Sequence, residues 1–537
     1  MKLIGKKTII IVAVFALLTF FLFNGLDNVG LEYDELYSVN AALGCPNDKI
    51  FLNYVKYKYG VCIPVMLMQY SGAPIALIPA ISIHLFGTSV WAFRGFNMVI
   101  LLVSLILFYI FLSRKFGFYI ATLTILFLAL DVQFIFTHHL EKPTLFPFLL
   151  RLAVLYVLLS PTIRFRIYIL GFLAGFSIYT KLDATFFLLA VTIGWIWGFL
   201  LNGRRLNIQS LSVTKLTNNL LRLIYIAVLP FSAAFVLGIS PFLKYFQTHS
   251  ATVLGVIEVY RKQTAGQTIP LRIDSFFKQL TNSDFYEYVF RGNIPLDSTA
   301  LISAQIVIFF WLLAAGYLVF NKKYGRLALA VLGFFVIYLF YPTLAGSHHR
   351  LIIYPLPQLV LAIFLKELAN SFKKDFIKSY FPAVCLGLYL LVFIPVYTRT
   401  IDKGRKTCGT VSFNCAIYPL AENLRDEKKI VVLGDWGISS QVLYLTKGKV
   451  PIYEAVFDAW LGTPKELQVL MDPYLENCST IVLRTPEVAK FQAADQKMRA
   501  LLKTQENYNS VIIKDKFGIP QYEVFRSDKC SQQNKSS

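Results

Sequence analysis

Three carboxylates fall within four residues of the stretch "LEYDELYSVN" (31–40): Glu32, Asp34 and Glu35. Asp34 and Glu35 are set among Tyr33, Leu36 and Tyr37, which is not the surrounding of an ordinary polar loop. A carboxylate held in such a place can take a proton from a hydroxyl or an amine. Other ionisable groups recur farther along the chain: His138, His139 and Glu141 in "THHLEKPT", Lys181 and Asp183 in "YTKLDA", and His348, His349 and Arg350 in "SHHRLIIYP". A guanidinium can hold a phosphate leaving group through two hydrogen bonds, so Arg350 is the natural candidate for such a clamp beside Asp34 as the base.

The elements that must position these groups follow from composition. Of 537 residues 56% are hydrophobic and only 15% are charged, with a mean hydropathy of +0.57. Charged residues cluster between long apolar runs, the pattern of a polytopic membrane protein. The net charge of +21 does not indicate nucleic acid, because Lys and Arg sit in short clusters at the ends of apolar runs, where a bilayer sorts them. The basic head and apolar run of "MKLIGKKTIIIVAVFALLTFFLF" are read as an uncleaved first membrane helix, since no small-x-small cleavage site follows.

About eleven membrane helices are expected, over 8–24, 91–112, 117–137, 143–160, 166–181, 184–201, 219–241, 299–320, 325–342, 350–366 and 379–397. Placing Lys2, Lys6 and Lys7 in the cytoplasm puts every later basic connection there too: Arg114 and Lys115, Arg164 and Arg166, Arg204, Arg205 and Lys215, Lys322, Lys323 and Arg326, then Lys373, Lys374 and Lys378. The odd count leaves the C-terminus outside. The stretch 71–88, "SGAPIALIPAISIHLFGT", would break that rule as a span, and is expected to lie on or dip into the outer face.

Residues 1–397 are thus expected to form a membrane domain with outer loops at 25–90 and 242–298, and residues 398–537 a separate extracytoplasmic domain. In that domain "KKIVVLG" and "CSTIVLRT" read as strands, "ISSQVLYLTKG" and "PEVAKFQAADQKMRALLKTQ" as helices, and "SVIIKDKFGIPQYEVFR" as a closing hairpin, which together make a small α/β unit. "GDWG" at 434–437 lacks the glycine spacing of a dinucleotide fingerprint and reads as a plain turn. Six of seven cysteines fall outside the membrane helices. Their even number fits disulfides, and local pairing would join Cys45 to Cys62, Cys408 to Cys415 and Cys478 to Cys530, although the sequence leaves the connectivity open.

An Asp-Glu pair just after the first helix resembles the GT-C glycosyltransferases, in particular the branch of protein O-mannosyltransferases and lipid A aminoarabinose transferases. Further segments are similar to that branch in the same order: "APIALIPAISIHLFGTSVWAFRGFNMV", "GFLAGFSIYTKLDATFFLL", "HHRLIIYPLPQLVLA" and "VVLGDWGISSQVLYLTKGKVPIY". The resemblance implies transfer of a sugar, with inversion, from a polyprenyl-phosphate carrier to an acceptor (protein, lipid or glycan) on the outer face. Asp34 then matches the general base and Glu35 its companion acid. Arg350 and Lys181 match positions near the carrier phosphate, while Glu141, Arg94 and His349 support the site. Such acids hold a divalent metal in some members, which would involve Asp34, Glu35 or Glu141. The chain departs from relatives at Gly72-Ala73-Pro74, where they often carry His-Pro-Pro or Glu-Lys-Pro.

Blander roles stand beside these. Arg350 could anchor a helix end in the head groups, Lys181 could extend to the interface, Arg94 could pin the juxtamembrane helix, and His138 and His139 could be interfacial polar caps. The competing class is a lipid-linked-sugar transporter or flippase. Such proteins usually show inverted repeats with broken helices in matching halves, and no such symmetry is visible here.

Overall fold

The computed structural model describes residues 2–40, 43, 54–56, 62–140, 144–202, 224–264, 268, 270–271, 289, 298–340, 351–410, 413–505 and 507–527. The expected apolar segments are helical. They are α1 (Lys2–Phe23), α4 (Phe96–Phe116), α5 (Phe118–Ala129) with α6 (Val132–His139), α7 (Leu145–Leu159), α8 (Arg166–Thr180), α9 (Ala184–Asn202), α10 (Leu229–Thr264), α11 (Ser298–Leu318), α12 (Gly325–Phe340), α13 (Leu356–Ser371) and α14 (Asp375–Thr407). Between α1 and α4 lie a short helix α2 (Tyr33–Asn40) and α3 (Leu77–Phe86).

Length and composition separate these helices. Among the described residues three stretches are long and apolar enough to cross a bilayer: Trp91–Phe116, Tyr225–Gly255 and Tyr380–Thr407. The expected span 117–137 is instead a pair, α5 and α6, bent by 60° at Leu130–Asp131. Asp131 explains the break, since its side chain caps α6 by accepting from Phe134 N at 3.0 Å. Several others are apolar helices of 10–17 residues. They sit in one continuous core with α1, in which Trp311, Phe334, Tyr354 and Leu359 are fully buried.

The chain turns from membrane helix to polar domain later than the expected boundary at 397: α14 runs on to Thr407, where Cys408 takes a left-handed conformation (φ 44°) and ends it. The Cys408–Cys415 disulfide closes the next turn. Cys478 is also disulfide-bonded. Cys45 and Cys530, needed for the other two expected pairings, lie outside the described residues.

The C-terminal unit holds one five-stranded sheet. Its strands are β5 (Val431–Leu433), β6 (Ile452–Glu454), β7 (Thr480–Arg484), β8 (Tyr508–Lys514) and β9 (Pro520–Ser527), following β1 (Tyr54–Lys56), β2 (Cys62–Pro64), β3 (Met66–Met68) and β4 (Ser71–Gly72) in the first loop. The order is β6-β5-β7-β9-β8. β5 pairs parallel with β6 and β7, with Val432 opposite Tyr453 and Ile481, whereas β9 pairs antiparallel with β7 and β8. Runs such as "IVVLG" and "TIVLR" suit strands buried on both faces. Helices α15 (Ile417–Leu424), α16 (Ser439–Leu445), α17 (Val456–Leu461), α18 (Pro464–Glu476) and α19 (Gln492–Lys503) flank the sheet. Helix α15, strand β6, helix α17 and helix α18 were not anticipated; three-residue strands and short helices leave little periodicity to read.

Candidate active site

Two of the three clustered carboxylates build α2 itself. Glu32 stands at its N-cap and accepts from the N–H groups of Asp34 (2.9 Å) and Glu35 (3.2 Å), while Glu35 reaches back to accept from Glu32 N at 2.9 Å. This reciprocal cap satisfies amides that the first helical turn leaves without partners. Both side chains are fully buried. Asp34, the residue between them on the turn, remains partly exposed.

Arg94 pairs with Glu35. It lies in the turn Trp91–Gly95 ahead of α4 and is itself fully buried. Its Nε and Nη2 donate to the two oxygens of Glu35 at 2.5 and 2.8 Å, Nη2 also to Gly30 O at 2.9 Å, and Nη1 to Leu26 O and to Val29 O at 3.1 Å. These five bonds use all five guanidinium N–H groups. Gly30 has room for no side chain, because a Cβ there would overlap the Asn414 carbonyl, and its N–H donates to Phe413 O at 2.6 Å. The loop before α2 is therefore held on one side by Arg94 and on the other by the chain after α14.

The C-terminal unit closes over α2. Gln441 Nε2 donates to Leu31 O (3.4 Å), Asn40 Nδ2 to Ser440 O (3.1 Å) and the Tyr444 hydroxyl to Ser89 O (3.0 Å). Burial drives the Tyr444 hydroxyl far above its ordinary value, so it stays a donor. The "GDWG" turn is more than a connection. Asp435 folds it, accepting from Trp436 N (2.7 Å) and Lys490 N (2.9 Å) and facing Arg484 at 3.4 Å. Trp436 then leans on Tyr33, ring centroids 4.8 Å apart, with the Lys490 ammonium 3.5 Å from the indole centroid. Tyr33 immediately precedes Asp34.

Lys181 ends α8 and is brought to the first loop: it bridges Ser71, and Leu182 N donates to Tyr70 O at 3.0 Å. Its ammonium pairs with Asp183 at 2.9 Å, both nearly buried. Gly72 lies against Tyr179; a Cβ would overlap the Tyr179 carbonyl and ring, so no larger residue fits. His138 and His139 are not interfacial caps. Both are buried at the end of α6, bonded to Phe134 O (2.8 Å) and Phe21 O (2.9 Å). Glu141, His348, His349 and Arg350 lie outside the described residues.

A second buried polar group was missed. Asp131 Oδ2 accepts from the Tyr354 hydroxyl at 2.5 Å and from Gln358 at 3.4 Å, and Arg151 Nε donates to Tyr354 O at 3.3 Å. The signal was available as single charges inside apolar runs, "LALDVQF" and "FLLRLAV". Trp436 carried no such signal.

As a metal ligand Glu35 fits poorly, since both its oxygens already accept from Arg94 and one also from the cap amide. Among the described residues no three His, Cys, Asp or Glu side chains gather into a metal-binding group.

The overall arrangement can be compared with solved structures. ArnT from Cupriavidus metallidurans, bound to undecaprenyl phosphate, superposes with a TM-score of 0.57 over 97% of this chain and 98% of ArnT, at 11% identity. The chain has the GT-C fold. The apo state of the same ArnT gives 0.58 at 10% identity over 98% of each chain. The archaeal oligosaccharyltransferase AglB from Archaeoglobus fulgidus, in complex with an inhibitory peptide and a dolichol-phosphate, gives 0.50 at 11% identity, over 96% of this chain and 74% of AglB. No protein-family model matches the sequence, and no curated protein matches it. With the GT-C fold and its apolar helices, the chain is an integral membrane protein.

Proposed function

We propose that this protein is a glycosyltransferase that moves a sugar from a polyprenyl-phosphate carrier to an acceptor on the outer face of the membrane, with inversion. The observation that carries this reading is the difference in burial among the three carboxylates: Glu32 and Glu35 are fully buried and hold α2, and Asp34 is partly exposed, on a fold of which two solved examples hold lipid phosphates. Asp34 takes the proton of the acceptor hydroxyl or amine as that atom bonds to the sugar carbon. The carbon–oxygen bond to the carrier breaks, and the electron pair leaves with the lipid phosphate. Lys181 and Arg350 are the cations assigned to that phosphate. Glu35 acts on Asp34 by fixing the helix. No step is routed through a metal.

The proposed orientation has about eleven crossings, the N-terminus in the cytoplasm and the α/β unit outside, and it rests on the basic connections. A single cysteine placed after residue 400 should then react with an impermeant label on intact cells, and one at 204 only after permeabilisation. For the reaction, purified protein is incubated with radiolabelled polyprenyl-phosphate sugars and an extract of envelope acceptors. Label should leave the carrier for an acceptor; its retention on the carrier with every sugar tested refutes the transferase reading. Arg350→Lys keeps the charge but loses the planar fork and should slow transfer. Unchanged donor affinity and turnover in Arg350→Ala would make the residue a head-group anchor.

A further inference from the structure

The end of the helical bundle opposite α2 carries a feature that sugar transfer does not use. Helices α4 and α7 diverge there and leave a groove of about 730 Å³. Its floor is apolar and well packed, formed by Phe108, Leu152 and Leu159. Its rims are Leu107 and Tyr156, both exposed, and Tyr156 is held edge-on by Phe111 at 4.9 Å. At its mouth stand Arg114 and Lys115, with the hydroxyls of Ser160 and Thr162. Neither cation has an ion pair or side-chain hydrogen bond to a carboxylate among the described residues.

Two quantities fit one occupant. The groove runs along α4 from Ser104 to Lys115, roughly 16 Å at about 1.5 Å rise per residue. Half of a hydrocarbon core about 30 Å thick is about 15 Å, so the groove spans one leaflet. The charge at its mouth is positive, and the hydroxyls beside it can donate to an oxyanion. An ordinary helix end with basic residues has the charge without the channel, and an ordinary gap between helices has the channel without the charge. Here the two coincide at head-group depth.

We infer that this groove is a binding site for an anionic phospholipid of the leaflet on the Arg114 side, one acyl chain lying between α4 and α7 and the phosphate held by Arg114 and Lys115. The lipid fills the space between two helices whose inner faces are already packed, and it ties their ends together. Asp34, at the other end of the bundle, plays no part in this binding.

Full-length protein is extracted from vesicles of equal parts phosphatidylglycerol and phosphatidylcholine, and retained lipid is counted by native mass spectrometry. Phosphatidylglycerol should be retained over phosphatidylcholine by roughly thirtyfold, the scale that two basic residues at a membrane surface supply. Arg114→Gln with Lys115→Gln should remove the preference, and both positions are exposed enough to leave folding intact. Ala153→Phe, which narrows the groove while keeping both cations, should lower retention of both lipids. Equal retention of the two lipids by the wild type overturns the inference, as does an unchanged preference in the double variant. Displacement of phosphatidylglycerol by added polyprenyl phosphate also overturns it, by assigning the groove to the carrier.

Discussion

Glu35 and Arg94 form a two-point ion pair with no solvent access on either side, 59 residues apart in the chain. One belongs to the helix that carries Asp34 and the other to the turn that enters α4. A buried pair of this kind adds little net stability over an apolar contact, but losing one partner strands the other charge. Its value is geometric, because it fixes the first turn of α2 relative to the bundle.

Arg94→Lys should therefore behave as a folding defect. It keeps the charge and loses the planar fork, leaving some of Leu26 O, Val29 O and Gly30 O without donors. The expected cost is about 1–3 kcal/mol for each buried carbonyl left without a donor. It is read as a lower thermal midpoint and a lower monodisperse yield, and a midpoint equal to wild type would contradict the role given to Arg94.

Asp34→Asn should do the opposite. The amide has nearly the same shape but cannot accept the proton, and loss of a general base typically costs about 10²–10⁴-fold in rate. Turnover should fall in that range while thermal midpoint and donor binding stay at wild-type values. Full turnover would remove Asp34 from the chemistry.

Trp436→Ala tests whether the C-terminal unit positions Asp34. The change removes an aromatic contact to Tyr33 worth about 0.5–1.5 kcal/mol. With the turn bearing Asp34 loosened, kcat should drop about tenfold while the donor KM holds. Trp436→Phe should recover most of it. A variant that loses only yield and midpoint, with normal kcat per folded molecule, would reduce Trp436 to packing.

The C-terminal unit should also lose stability as pH rises. Glu454 ends β6 with its Oε1 buried, and burial is the main cause lifting its pKa to about 7, with a smaller contribution from Asp435. Its ordinary value is 4.5. The folded state thus holds the proton more tightly, so the contribution is full below about 4.5 and is lost as pH climbs through about 7. On the order of 3 kcal/mol is at stake. Thermal scans between pH 4.5 and 8 should show a falling midpoint in the wild type and a flatter one in Glu454→Gln; parallel curves would count against it.

What the sequence could and could not reveal follows from the range of each interaction. Apolar runs, including those around Val432 and Ile481, are local, so the membrane helices and most of the sheet were readable. The bend at Asp131 was hidden because one capping side chain inside an apolar stretch reads as a continuous span. The acidic cluster was recognised, yet its division of labour was not. Glu32 and Glu35 look like Asp34 in one dimension and differ only through a reciprocal cap and an arginine 59 residues away. Gly72 looked like a loss of motif, and it answers to Tyr179 across the fold.

The bonds from Asn40 to Ser440 and from Gln441 to Leu31 span 400 and 410 residues. During synthesis the first loop leaves the ribosome long before its cover exists. Through most of translation and membrane insertion the helix bearing Asp34 lacks its lid, and Gly30 lacks Phe413 to bond. A chain cut short before that point would contain every acid and cation of the membrane half and still have no finished place to hold Asp34. Only completion of the last quarter of the polypeptide supplies these contacts, so an incomplete copy leaves the setting of Asp34 unfinished.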